Sequence, residues 1–265
     1  MLSIEKEYEI HYYDVDINKK LTLTSLMNFL QDIFVYASES GGRGIQYMNN
    51  INLTWVVHKW EINMYDYPSY SESIKIRMTP TAYRKSYMNI RFEILDSYEN
   101  IIADAYSLWI LLDMKDRIPC RNKFEDVYKV YGLNYSDNKI NIMKEIKTTS
   151  DLHDIKEFHV GYCDIDTNGH VNNVKYLSWI LNSVSLDIMR YYTVKQISIS
   201  YKKPASYNDV IRTSYTKEND EQFIRCTHKI VSDDEIVLVL AETLWQITTT
   251  KEIETTSQEY SKLML

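Results

Sequence analysis

The chain has 265 residues, 45% apolar and 25% charged, with a formal charge of −7. This balance is ordinary for a soluble globular protein that can bury a core, and the length fits one large domain or two small ones. The negative charge argues against nucleic acid as a partner, because phosphate binding needs clustered cations and no basic stretch with interleaved aromatics occurs.

Cys120, Cys163 and Cys226 show no C-x-x-C spacing, so neither a disulfide framework nor a zinc site is expected. Residues 1–10 lack the apolar core of a signal peptide, and no apolar run approaches the length of a membrane span. The cytoplasm is therefore the expected compartment.

In chain order, the first feature is Tyr12-Tyr13-Asp14-Val15-Asp16-Ile17-Asn18-Lys19-Lys20-Leu21. A helix is predicted over about 24–38, with Leu26, Phe29, Leu30, Ile33 and Ala37 on one face. Gly41, Gly42 and Gly44 follow the helix rather than precede one, which suits a helix stop better than a phosphate loop. Strands are predicted near 54–66, 72–80, 86–96 and 101–113. Residues 123–150, including Asn134-Tyr-Ser-Asp-Asn138, are polar and poorly periodic and read as a linker crossing the surface.

The second feature is Tyr162-Cys163-Asp164-Ile165-Asp166-Thr167-Asn168-Gly169-His170-Val171-Asn172-Asn173. Tyr12, Asp14, Asp16 and Asn18 match Tyr162, Asp164, Asp166 and Asn168 at a spacing of 150, while lysines stand where Gly169 and His170 would fall. A helix follows, with Val174, Leu177, Ile180, Leu181, Val184 and Ile188 at helical spacing and Asn172 or Asn173 as its cap. Alternating residues 197–201, interrupted by Pro204, and further strands near 209–217, 221–231 and 235–248 complete the pattern. Tyr65-x-x-Pro68 echoes Tyr201-x-x-Pro204, and Ser107-Leu-Trp echoes Thr243-Leu-Trp, both at a spacing of 136. The residues past 250 are polar and expected to fray or form a short helix. The pattern implies two copies of one unit, a long helix with an antiparallel sheet of four or five strands, in the α+β class.

Three readings of residues 164–170 compete. Asp-x-Asp-x-Asn-Gly is what a turn looks like, and the persistence of Asp14, Asp16 and Asn18 supports a shared structural part. An EF-hand calcium loop matches at positions 1, 3, 5 and 6, but position 12 is Lys175 and no helix precedes Asp164. The third reading is acyl transfer, for which a carboxylate, an amide and an imidazole beside a helix start supply the needed groups.

The stretch from Asp164 to Ser183 resembles the signature of fatty acyl-ACP thioesterases. Leu21-Thr-Leu-Thr-Ser-Leu-Met, Gln31, Trp55-Val-Val, Tyr67-Pro68, Ser107-Leu-Trp-Ile and Arg117-Ile-Pro119 resemble the first half of the same family. The resemblance implies a tandem double hotdog, each unit a sheet wrapped around a long helix. It places an N-terminal unit holding the acyl chain at 1–125, a linker at 126–150 and a catalytic unit at 151–265. The catalytic residues fall on Asp166, Asn168 and His170: Asp166 as nucleophile or general base, the other two orienting it and polarising the thioester. No metal or diffusible cofactor is implied, the partner is an acyl carrier protein bearing an acyl-phosphopantetheine, and a homodimer is admitted. The Glu-Cys pair of the plant members falls on Pro204-Ala205, so one acid of the pattern is missing. An acyl-CoA thioesterase and a non-catalytic acyl-binding hotdog stand as alternatives, with a hotdog dehydratase behind them. Asp164, the remaining histidines and the five tryptophans read as structural; Trp55 lines an acyl tunnel only by resemblance.

Overall fold

The computed structural model describes residues 2–120, 125–134, 140–141, 143–147, 153–220 and 222–248. The expected polar tail and most of Asn134–Asn138 lie outside them. The chain divides into two compact units: residues up to Asp14 with Ser25–Lys144, and Val15–Thr24 with Glu145 onward.

In the first unit, β1 (Ile4–Glu9) leads through a 3₁₀ turn at Tyr12–Asp14 to α1 (Leu23–Ser40) and the short α2 (Ile45–Asn50). Then come β2 (Leu53–Met64), β3 (Ser73–Arg84), β4 (Tyr87–Leu95), β5 (Ile101–Asp113), β6 (Ile118–Pro119) and α3 (Glu125–Lys129). The sheet runs β1-β3-β4-β5-β2, all antiparallel, with β6 beside β5. Leu26, Met27, Leu30, Ile33, Phe34 and Ala37 repeat at helical spacing, and all are buried. Phe34 stacks on Trp109 of β5 with ring centroids 3.9 Å apart, which seats α1 on the sheet. Each of these leucine, methionine, isoleucine and phenylalanine side chains contributes about 1.5–3 kcal/mol by leaving water. Pro80 lacks the donor a ladder needs; it lies past the last β1 partner, Met78, beside a bulge in the β3–β4 register.

The second unit repeats the order. β7 (His153–His159) is followed by a 3₁₀ turn at Tyr162–Asp164, α4 (Asn173–Ser183) and α5 (Leu186–Tyr191). β8 (Tyr192–Tyr201), β9 (Val210–Asn219), β10 (Phe223–Ser232) and β11 (Val237–Ile247) follow. Its antiparallel sheet runs β7-β9-β10-β11-β8. α4 packs against β7, β9 and β10. Each unit is thus a sheet wrapped around a helix, the tandem double hotdog expected.

Three expectations need correction. The helix read through Ile188 breaks after Ser183. Val184 and Ser185 take extended backbone, Ser183 Oγ donates back to Ile180 O at 2.6 Å, and Ser185 N donates to Tyr215 Oη at 3.2 Å. Residues 126–150 are not merely a surface linker: Val127, Tyr128, Tyr131, Leu133 and Met143 are buried. Tyr128 stacks on Tyr83 and Tyr131 on Phe34, so aromatic burial binds this stretch to the first unit. The loops after β2 and β8 correspond at a spacing of 137, not 136, because Ser71 and Asn208 are the matching residues at positive φ.

The inner faces of the sheets differ. In the first unit one row across the strands reads Met78, Phe92, Ala105, Ile62. The matching row of the second reads Tyr215, His228, Ala241, Ile199. Ile90 and Ser107 are likewise matched by Cys226 and Thr243. His228 is 1% exposed; its Nε2 lies 2.8 Å from Thr243 Oγ1, which also accepts from Trp245 Nε1 at 2.7 Å. Burial pushes the imidazole pKa down to about 3 and keeps it neutral. All five tryptophans are buried, as their structural reading expects.

Candidate active site

The repeated motif forms a corner between strand and helix in each half. The 3₁₀ turn of the second is pinned by Gly161 N–H donating to Asp164 Oδ2 at 2.9 Å; the first has His11 N–H on Asp14 Oδ2 at 3.0 Å. Asp14 and Asp164 do the same work, which supports the structural reading of Asp164. Bridges Val15–Leu21 and Ile165–Val171 then close each loop.

Inside the loops the two copies part. Asp166 N–H donates to His170 O at 2.8 Å, Gly169 N–H to Asp166 O at 3.0 Å, and Asn168 N–H to Asp166 Oδ1 at 2.8 Å. The last is an Asx turn. In the first copy Asp16 Oδ1 accepts from both Asn18 N and Lys20 N, at 2.9 and 3.0 Å. Among the described residues Asp166 makes the first of these bonds and not the second. Its carboxylate is therefore less committed to the backbone than its twin. Gly169 takes φ +75°, where a side chain costs energy; Lys19 takes φ +60° at the same place and bears that cost.

Asp166, Asn168 and His170 thus stand on one closed loop, with Asp166 and His170 half-buried and Asn168 exposed. α4 starts just beyond, with Asn172 Oδ1 accepting from Val174 N at 3.0 Å. Of the two candidate caps, Asn172 is the one used. Lys175 Nζ lies 3.1 Å from Asp164 Oδ1, so the residue at the twelfth EF-hand position pairs with the first would-be calcium ligand. That ion pair sets a cation where calcium binding needs a carboxylate.

The segment after β8 closes over the corner. Val171 N–H donates to Ala205 O at 3.0 Å, and Ala205 N–H to Tyr176 Oη at 2.7 Å. Pro204-Ala205 brings main chain here instead of an acid. The next carboxylate, Asp209, accepts from Ser206 N at 2.8 Å, as Glu72 accepts from Ser69 N at 2.8 Å in the first half. Asp209 is therefore a turn residue, like its twin. Tyr176 was absent from the residues singled out by sequence, since a tyrosine on a helix's apolar face reads as core. Its one signal is that Leu26 stands 150 positions earlier.

The remaining histidines whose side chains are described take no part in this corner. His228 is core, and exposed His159 lies 3.6 Å from Glu157. Cys163 is exposed, while Cys120 and Cys226 are buried, and none of the three is in a disulfide.

The family model of the acyl-ACP thioesterase N-terminal domain matches residues 2–131, and that of the C-terminal domain matches residues 136–247. The oleoyl-acyl carrier protein thioesterase of Coriandrum sativum is 25% identical over 236 residues, covering 83% of this chain and 64% of the relative. The palmitoyl-acyl carrier protein thioesterase of Gossypium hirsutum is 24% identical over 265 residues, covering 92% and 64%. The chain thus spans somewhat less than two thirds of the length of these relatives. Among solved structures, the 12:0-ACP thioesterase of Umbellularia californica superposes with a TM-score of 0.82 at 21% identity, covering 93% of this chain and 94% of that one. An acyl-ACP thioesterase of Bacteroides thetaiotaomicron superposes with a TM-score of 0.77 at 21% identity, covering 92% and 98%. At these identities the superpositions speak to fold, and the matched fold is the one built above. With both domain models matched in order along the chain, the protein belongs to the acyl-ACP thioesterase family.

Proposed function

We propose that the protein hydrolyses acyl-ACP, with water cleaving the C–S bond to give a free fatty acid and holo-ACP. The observation that carries this reading is the asymmetry of the two corners. The second retains Gly169 and His170 and leaves Asp166 less bonded; the first has lysines and a carboxylate holding two amides. Asp166 is the reacting carboxylate, taking a proton from water or attacking the thioester carbon itself. Asn168 and His170 orient it, polarise the carbonyl and deliver a proton to the leaving thiolate. Family membership and the names of the relatives support acyl-ACP as the substrate.

The first unit takes the acyl tail in this proposal. Its inner row of Met78, Phe92, Ala105 and Ile62 suits methylenes, each worth about 0.8 kcal/mol when buried. The row with Tyr215 and His228 suits them less. Three cysteines outside any disulfide fit a reducing compartment such as the cytoplasm. Acyl-CoA carries the same pantetheine arm, so matched acyl-ACP and acyl-CoA substrates decide the donor. Released fatty acid should form faster from acyl-ACP; faster turnover of acyl-CoA reassigns the donor, and no release from either leaves a binding protein.

A further inference from the structure

We infer that Tyr176 is a positioning residue of the reaction centre: its hydroxyl holds Ala205, and Ala205 fixes the peptide that carries His170. This rests on the reading of Asp166, Asn168 and His170 given above.

The peptide unit joining His170 to Val171 is bonded at both ends. Its carbonyl accepts from Asp166 N–H at 2.8 Å, and its N–H donates to Ala205 O at 3.0 Å. The first bond belongs to the corner and recurs in the other half, where Asp16 N–H donates to Lys20 O at 2.9 Å. The second comes from a residue distant in sequence, which itself needs an anchor. Tyr176 provides it, accepting from Ala205 N–H at 2.7 Å. A peptide plane held at both edges fixes the direction in which the His170 side chain leaves the backbone, and acid–base efficiency depends on that direction.

The anchor is rigid. Tyr176 is 2% exposed and Ala205 fully buried, so the bond is shielded from water. The phenol ring is wedged edge-on against Trp179 and Tyr201, with centroids 5.4 and 5.9 Å away. Tyr201 Oη in turn donates to Asn173 O at 3.1 Å, in the first residue of α4. Burial, with the charges of Asp209 and Asp166 adding, pushes the Tyr176 hydroxyl up to about 12, so it remains protonated.

The twin sharpens the point. Position 26, which matches 176, is leucine, and position 20, which matches His170, is lysine. The hydroxyl and the imidazole are present together in one half and absent together in the other. A tyrosine needed only to pack α4 would have no reason to follow the histidine.

The experiment is a double-mutant cycle on the full chain, with acyl-ACP as substrate and thermal melting to verify folding. Tyr176→Phe should lower kcat about tenfold, the worth of one buried hydrogen bond, with KM within about twofold. In a His170→Ala background the same substitution should cost less than about twofold, since there is no imidazole left to aim. An equal loss in both backgrounds, or full activity of folded Tyr176→Phe, overturns the inference while leaving the reaction centre standing. Should Asp166→Asn retain full activity, the reaction centre itself is wrong, and that result is distinct. If Tyr176→Phe does not fold, replacing Ala205 by its α-hydroxy acid deletes only the N–H that Tyr176 accepts and leaves the phenol ring in place. That ester variant should lower kcat about tenfold in the native background and less than about twofold in the His170→Ala background; unchanged kcat in the folded variant overturns the inference.

Discussion

The two corners share a backbone and differ in what their side chains are free to do. Each has a 3₁₀ turn pinned by its first aspartate, a closing bridge and an Asx turn. In the first, Asp16 spends one oxygen on two amides, and a lysine at positive φ follows. In the second, glycine takes the strained position and a histidine occupies the next. The comparison separates what builds the corner from what can react: Asp14 and Asp164 belong to the first category, Asp166 and His170 to the second. The two sheets repeat the lesson, one facing its interior with Met78 and Phe92, the other with Tyr215 and His228.

The strongest way to break the comparison is to write the first corner into the second. Gly169→Lys with His170→Lys should fold, because Lys19 already tolerates φ +60°. Turnover should fall about 10²–10⁴-fold through loss of the imidazole. Retained turnover in the folded double variant would remove His170 from the mechanism.

A weaker effect concerns acid stability. His228 is neutral in the fold, its pKa pushed from the usual 6.5 down to about 3, whereas the unfolded chain protonates it near 6.5. The unfolded state therefore binds the extra proton between these values. The stability present above pH 6.5 is lost as pH falls toward 3, by about 1.4 kcal/mol per pH unit. His228→Phe, which copies Phe92, should flatten the dependence of Tm on pH in that window. An unchanged slope in thermal melts at pH 6.5, 5.5 and 4.5 would clear His228 of any part in it.

Smaller still, Lys19→Gly should raise stability by about 1 kcal/mol, since it relieves a side chain held at positive φ. Denaturant melts measure this, and a loss of stability would mean that the lysine's contacts outweigh its strain. Finally, EDTA should leave turnover unchanged, because Lys175 neutralises Asp164 instead of completing a calcium loop. Loss on chelation with recovery on adding a divalent ion contradicts this.

The helices and long strands were legible because their apolar periods are strong: α1 and α4 bury stripes at helical spacing, and β5 and β11 carry the repeated Leu-Trp. β1 was not read, because it alternates half-buried with exposed residues and has no fully buried side chain. The break at Val184 was hidden because Val184 and Ile188 continue the helical period across it and both are buried. The extended backbone of Val184 and Ser185, the Ser183 back-bond and the Tyr215 contact show the interruption. The packing of Tyr128 and Tyr131 was lost in a polar stretch, where single aromatics give no period. At the corner, residue identity and the twin were readable from sequence. The differing bonds of Asp16 and Asp166, and the tie from Ala205 to Tyr176, required three dimensions because they join residues by geometry rather than spacing.

The central claim, that the second corner is the sole reaction centre, is tested most directly by comparing Asp166→Asn with Asp16→Asn. Each substitution keeps the volume and removes one charge from matching positions. Single-turnover release of fatty acid from acyl-ACP, measured on variants verified as folded by thermal melting, should fall about 10²–10⁴-fold for Asp166→Asn and remain within about twofold for Asp16→Asn. Equal losses in both, or undiminished release by Asp166→Asn, would contradict it.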